Sequence, residues 1–203
     1  MKPNTSNKNE HKQLKVLIAC EESQEVCKAF RELGHDAFSC DIIPCSGGHP
    51  EWHIQDDVLK HLNDGWDLMV AHPPCTRLCN SGVCWLEKRG LWKDMEKGAL
   101  FFKRLLNANI PMKCIENPIP HKYALKIIGK KYNQIIQPYQ FGHGESKATC
   151  LWLSNLPELK PTNNVPGREQ RLHRLPPSKD RAKLRSKTFP GIAKAMAEQW
   201  GGK

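Results

Sequence analysis

The chain has 203 residues, 39% of them hydrophobic and 26% charged, with a formal charge of +10; that length suits one folded core with room for a small appendage, and the composition is that of a soluble globular protein. No apolar stretch approaches the roughly 20 residues of a membrane helix, and the polar start, 1–12, carries no apolar segment of the secretory kind. Nine cysteines without such a signal are expected to be free thiols in a reducing, cytoplasmic compartment, and the positive charge favours a polyanionic partner over a membrane.

In chain order, 1–13 is expected to be a disordered leader and 14–203 one domain. The apolar run Lys15 to Cys20 predicts a buried strand. Val26, Ala29, Phe30 and Leu33 recur at helical spacing over 25–33, and Gly34 stands where a helix stops. Ala37 to Cys40 predicts a second strand closed by Asp41. Pro44 to Pro50 is turn-rich, and Asp56 to Leu59 predicts either a third strand or the start of a helix. Asp67 to Ala71 predicts a fourth strand, running into His72-Pro73-Pro74-Cys75. A helix is expected over 93–107 with Met95, Leu100, Phe101 and Leu105 inward, then a fifth strand over Lys113 to Glu116. Tyr132 to Pro138 and Ala148 to Leu153 predict later strands. Phe189 to Trp200 predicts a last helix opened by Pro190, with Ile192, Ala195, Met196 and Gln199 at helical spacing.

Strands alternating with helices predict an open, mostly parallel α/β sheet with helices on both faces, and ligands of such sheets sit beyond the carboxyl ends of the strands. The polar features gather at those ends: Cys20 to Ser23, Asp41, Asp57, His72 to Cys75, and Glu116-Asn117. A Pro-Pro-Cys step alone is equally a buried structural cysteine, Glu116 alone an ordinary salt-bridged acid, and Asp41 alone a turn former. Cys40, Cys45, His49 and His53 offer two thiols and two imidazoles, a set that could hold zinc or simply form a polar loop; no metal is the reading adopted. Over 156–187 there are nine basic residues (Lys160, Arg168, Arg171, Arg174, Lys179, Arg181, Lys183, Arg185, Lys187) against three acids (Glu158, Glu169, Asp180). That excess predicts a nucleic-acid contact surface, the alternative being a solvated loop.

The order of these motifs resembles the cytosine-C5 DNA methyltransferases, Rossmann-like enzymes that use S-adenosylmethionine, and in particular the short methyltransferase-like proteins of phages and prophages. His72-Pro73-Pro74-Cys75 resembles the family's proline-cysteine motif and Glu116-Asn117-Pro118 its glutamate motif. The resemblance implies Cys75 as nucleophile toward cytosine C6, Glu116 at the Watson–Crick edge, Asn117 orienting that carboxylate, and Lys147 favouring the thiolate. It implies a cofactor site formed by Ala19, Cys20, Glu21, Glu22, Ser23, Asp41, Ile42, Asp57, Val58, His72 and Pro73, with Asp41 on the ribose and Asp57 on the adenine. Arg77, Arg168, Arg171, Arg174, Arg181 and Arg185 would meet the nucleic acid, duplex or single-stranded DNA. Three departures are visible. The cofactor loop, Ala19 to Gln24, contains no glycine. The family's Gln-x-Arg-x-Arg stretch stands here as Glu145-Ser146-Lys147-Ala148-Thr149. The basic segment 156–187 replaces a much larger recognition domain. They keep open an RNA or free-nucleotide substrate, a partner subunit that supplies recognition, and a non-catalytic nucleic-acid-binding role.

Overall fold

The computed structural model describes residues 12–202; of the expected leader, all but Lys12 and Gln13 lies outside the described residues. Seven strands share one sheet: β1 (Lys15–Ala19), β2 (Asp36–Asp41), β3 (His53–Gln55), β4 (Leu68–Ala71), β5 (Met112–Pro118), β6 (Gln134–Ile136) and β7 (Thr149–Ser154). Their order is β3-β2-β1-β4-β5-β7-β6. β7 pairs antiparallel with both β5 and β6, and the remaining pairs are parallel. This is the open, mostly parallel α/β sheet with helices on both faces that the alternation of elements predicts.

Parallel strands covered on both faces read as continuous apolar runs, and β1 and β4 do so. Their side chains part by the two-residue period of a strand. Val16, Ile18, Leu68 and Val70, with Leu151 and Leu153 of β7, pack under α1 (Glu25–Glu32) and α7 (Pro190–Gly201). Leu17, Ala19, Met69, Ala71, Cys150 and Trp152 pack on the other face, under α3 (Trp92–Leu106) and α4 (Lys122–Ile128). Trp152 is fully buried there, edge-on to Phe102 with ring centres 4.8 Å apart. Gly34 takes φ +85°, and its N–H reaches the Arg31 carbonyl at 2.9 Å, so α1 stops where the glycine predicts.

Several expectations are corrected. The third strand is His53–Gln55, and of the two readings of Asp56 to Leu59 the helix start holds: Asp57 caps a short 3₁₀ turn, Val58–Lys60, its carboxylate accepting from the Leu59 N–H. The inward face of α3 is Met95, Ala99, Phe102, Leu105 and Leu106, while Leu100 is 47% exposed. Ala99 and Phe102 are fully buried, and Phe101 only partly so. Leu33 lies beyond α1 and is exposed, whereas Cys27 is buried in its place. β6 stops at Ile136, and Pro138 opens a 3₁₀ turn. Four short helices carried too few apolar repeats to be read: α2 (Cys84–Lys88), α4, α5 (Arg171–Arg174) and α6 (Arg181–Ser186).

The strand order reverses direction between β1 and β4, where Ala19 lies beside Ala71. A crevice opens beyond the carboxyl ends at such a switch point, flanked here by the loops Cys20–Gln24 and His72–Cys75.

Candidate functional site

The register of β4 on β5 sets the centre of the site. Ala71, the last residue of β4, pairs with Ile115, and β5 continues three residues further. Glu116 and Asn117 therefore lie within β5, not past its end, and stand level with the loop that leaves β4. His72 Nδ1 lies 3.1 Å from Glu116 Oε2. Asn117 Nδ2 donates to the Pro73 carbonyl at 2.9 Å. The proline step fixes φ at two consecutive residues, and these two bonds fix its position, so Cys75 is held beside the carboxylate. Both Glu116 and Lys147 act electrostatically on its thiol. Pro74 is exposed and Cys75 half-buried.

The His72 and Glu116 side chains are only 11% and 16% exposed. Burial pulls the His72 imidazole down, but the hydrogen bond and charge of Glu116, joined by Glu21, outweigh it and leave it above its ordinary value. Burial pushes Glu116 up, yet His72, then Lys147 and the Thr149 hydroxyl, hold it below the usual carboxylate value. Each of the two groups thus favours the charged form of the other. Two buried polar atoms beside it, His72 Nε2 and Asn117 Oδ1, have no hydrogen-bond partner among the described residues. Buried polar atoms are nearly always paired, so a ligand that brings an acceptor and a donor completes this pocket.

Cys79, buried four residues further on, is part of the same centre. Its N–H closes a helical turn onto the Cys75 carbonyl at 3.1 Å. The Cys75 thiol donates to the Cys79 sulfur, which holds Cys75 well above the ordinary thiol range. Cys79 accepts that bond and, against burial, those of the Ser81 hydroxyl and the Gly82 N–H, which lower it below the ordinary thiol value. The two sulfurs thus meet across one hydrogen bond.

The glycine-free cofactor loop is built with left-handed residues: Cys20 has φ +59° and Gln24 φ +58°. Such backbone is uncommon outside glycine, and side-chain bonds hold it. Glu21 is buried and accepts the Val26 and Cys27 N–H groups at 2.7 and 3.2 Å, capping α1. Burial raises its carboxyl despite His72 and those amides. Glu21 is consequently a brace for the loop. Gln24 Nε2 donates to the His49 carbonyl at 2.8 Å and its Oε1 accepts the His49 N–H at 3.1 Å, tying this loop to the one after β2. Gln24→Ala is expected to cost about 1–2 kcal/mol of stability, read as a fall in the midpoint of chemical denaturation.

The other cofactor candidates line the same edge. Ala19 is buried at the end of β1 and Ser23 is buried in the loop. Glu22 accepts the Ser46 hydroxyl and lies 3.9 Å from Lys183. Asp41 ends β2, one carboxylate oxygen accepting the Ile43 N–H, and Ile42 beside it is 73% exposed. Val58 is buried, and Pro73 is buried at the base of the proline step. An acid and an exposed apolar side chain at the mouth of the crevice match what a ribose and a flat base require, so these residues fit S-adenosylmethionine; Asp57, engaged in its own turn, fits less closely. Three of the four zinc candidates, Cys40, His49 and His53, have other partners. His53 sits between the Ser39 hydroxyl (2.8 Å) and the Ile43 carbonyl (2.9 Å), and His49 stacks on Trp52 at 3.8 Å. Among the described residues no group of three or more His, Cys, Asp or Glu is disposed to hold a metal ion.

The basic segment folds back over this edge. Lys147 Nζ donates to the Arg185 and Lys187 carbonyls at 2.8 and 3.4 Å, and Lys187 pairs with Glu25 at 3.4 Å. The buried Glu145 anchors α5, accepting from Leu172 N–H and Arg171 Nε. Arg171 also pairs with Glu169 at 3.0 Å. Arg181 donates to the Leu175 and His173 carbonyls, and Arg168 to those of Val165 and Gly167 while lying 3.5 Å over the Tyr139 ring. Three of the predicted phosphate-binding arginines therefore also serve the chain itself. Arg174 is exposed and, with Arg168 and Arg171, lines a cavity of about 850 Å³; Arg77 and Arg185 are half-buried.

No family model matches the chain, and no curated protein sequence does. Among solved structures it is similar to a protein described as a DNA modification methyltransferase encoded within an E. coli prophage, at 13% identity and a TM-score of 0.49, over 76% of this chain and 52% of that one. It is also similar to the methyltransferase EhMeth of Entamoeba histolytica, at 16% identity and a TM-score of 0.49, over 78% of this chain and 58% of that one. The chain thus spans little more than half the length of either.

Proposed function

We propose that this chain is an S-adenosylmethionine-dependent methyltransferase that modifies C5 of cytosine in DNA through Cys75. The observation that supports the reading best is the junction of β4 and β5, where a thiol, a carboxylate and two unpartnered buried polar atoms converge beside the switch point of the sheet. In this reading the Cys75 thiolate bonds to C6 of the base, and the C5–C6 π electrons move toward C5. Glu116 hydrogen-bonds the base's Watson–Crick edge. His72 holds the proton that Glu116 passes to N3, which makes C6 more electrophilic. Bound between Asp41, Ile42, Asp57 and the Cys20–Ser23 loop, S-adenosylmethionine supplies a methyl group on a sulfonium, an electrophile for C5. Loss of the C5 proton, return of the N3 proton to Glu116 and departure of the Cys75 thiolate then restore the ring.

The test is transfer of a labelled methyl group to DNA, with RNA and free cytidine nucleotides as parallel substrates and digestion to nucleosides as the readout. 5-Methyldeoxycytidine is the expected product. Label on RNA or nucleotide alone would move the substrate, and none on any of the three would end the reading.

A further inference from the structure

Three of the exposed large apolar side chains stand just past the two strands that carry the site: Trp85 at 43%, Ile119 at 37% and Tyr123 at 42%. They share a rim. Asn80 N–H donates to the Ile119 carbonyl at 3.0 Å, and Cys79 bridges to Pro120. Gly82 is pressed so close to the Cys75 loop that a Cβ there would lie 2.6 Å from the Thr76 carbonyl oxygen. Trp85 follows one helical turn later, about 5 Å along the axis. Its neighbour Leu86 is fully buried, so α2 is anchored while Trp85 is held outward. The Arg89 guanidinium lies 4.3 Å and the Lys88 ammonium 5.7 Å from the Trp85 ring centre. Lys122 lies 5.2 Å from that of Tyr123.

The charge on this rim has one sign. Residues 77–93 hold Arg77, Lys88, Arg89 and Lys93 against Glu87 alone, and residues 119–131 hold four lysines and no acid. Glu87 is itself engaged, accepting from Trp92 Nε1 at 2.7 Å. Exposed rings interleaved with cations suit a strand whose bases are free to stack while its phosphates meet the charge. A duplex keeps its base faces covered, and a peptide or lipid surface explains the rings or the cations but not their alternation beside a nucleobase pocket.

We propose that this rim docks an unpaired DNA strand, with Trp85 stacking on a base near the one presented to Cys75. The inference rests on the reading that Cys75 acts on cytosine. It gives the strand a second contact surface besides the basic segment.

The experiment is fluorescence anisotropy of a labelled 12-nucleotide DNA strand with the full chain, beside its duplex and the same sequence as RNA, together with methyl transfer. Wild type is expected to prefer the single DNA strand. Trp85→Ala should weaken it about 5- to 100-fold, with Trp85→Phe restoring much of the loss. Arg89→Ala should lower the salt dependence by about one counterion, and Trp85→Ala should leave it unchanged. Both positions are exposed, so unchanged circular dichroism accompanies the supporting result. Wild-type affinity in Trp85→Ala, or a preference for duplex or RNA, overturns the docking surface even where methyl transfer is intact. Binding that responds to Trp85 without any cytosine methylation supports the surface and sinks the catalytic reading.

Discussion

Cys75→Ala is expected to reduce methyl transfer to background, and Cys79→Ser to slow it by about 100-fold at neutral pH while leaving it measurable. The difference follows from the hydrogen bond between the two sulfurs. The bond it donates to Cys79, its partial burial and the Glu116 carboxylate all hold the Cys75 proton in place. A protonated thiol is a poor nucleophile. Cys79, lowered by the bonds it accepts, is the group placed to take that proton when a ring approaches. A serine hydroxyl accepts a hydrogen bond but cannot take the proton. The rate in Cys79→Ser should therefore climb with pH across the range where wild type is level. Alkylation of Cys75 by iodoacetamide reads the same property without any turnover. Wild type should react at a rate nearly flat from pH 6 to 8, and Cys79→Ser at a rate that rises with hydroxide. Equal pH profiles would return Cys79 to the core role that its burial alone suggests.

The sheet was legible because buried parallel strands leave unbroken apolar runs, as Val16 to Ala19 and Leu68 to Ala71 do. The thiol and the carboxylate were legible because they follow such runs. What the residue string does not carry is register. Only the pairing of Ala71 with Ile115 reveals that Glu116 faces His72, so His72 reads as a cofactor contact until the strands are aligned. Cys79 was missed for the same kind of reason. A cysteine four residues after another is visible, but whether the turn between them is helical depends on the Leu78 and Cys79 N–H groups both reaching the Cys75 carbonyl. The basic segment shows the opposite failure. Its charge is plain in composition, but the acceptors already taken up by Arg168, Arg171 and Arg181 are not. Glu21 reads as crowding of the cofactor loop, yet it replaces glycine by capping α1.

Breaking the buried ion pair from either side should be costly. Glu116→Gln and His72→Ala are each expected to destabilise the fold by about 3 kcal/mol, because one charge is left buried without its partner. The double substitution should cost less than the sum of the two. The pair also gives stability a pH signature. His72 is raised, so its contribution is complete below the imidazole's ordinary 6.5 and fades as pH climbs through its higher folded value. Glu116 is lowered, so its contribution is complete above the carboxylate's ordinary 4.5 and fades as pH falls through its lower folded value. Both are whole between those two ordinary values. The gap in denaturation midpoint between wild type and Glu116→Gln should accordingly be widest near pH 5 to 6 and narrow toward pH 8 and pH 4. Activity should follow a different course, since the carboxylate meets the base directly. Glu116→Gln is expected to cut the rate by about 100- to 10,000-fold with little change in DNA affinity. A gap in stability that stays constant with pH would mean that the 3.1 Å contact carries no charge, and the proton route from His72 through Glu116 would fall with it.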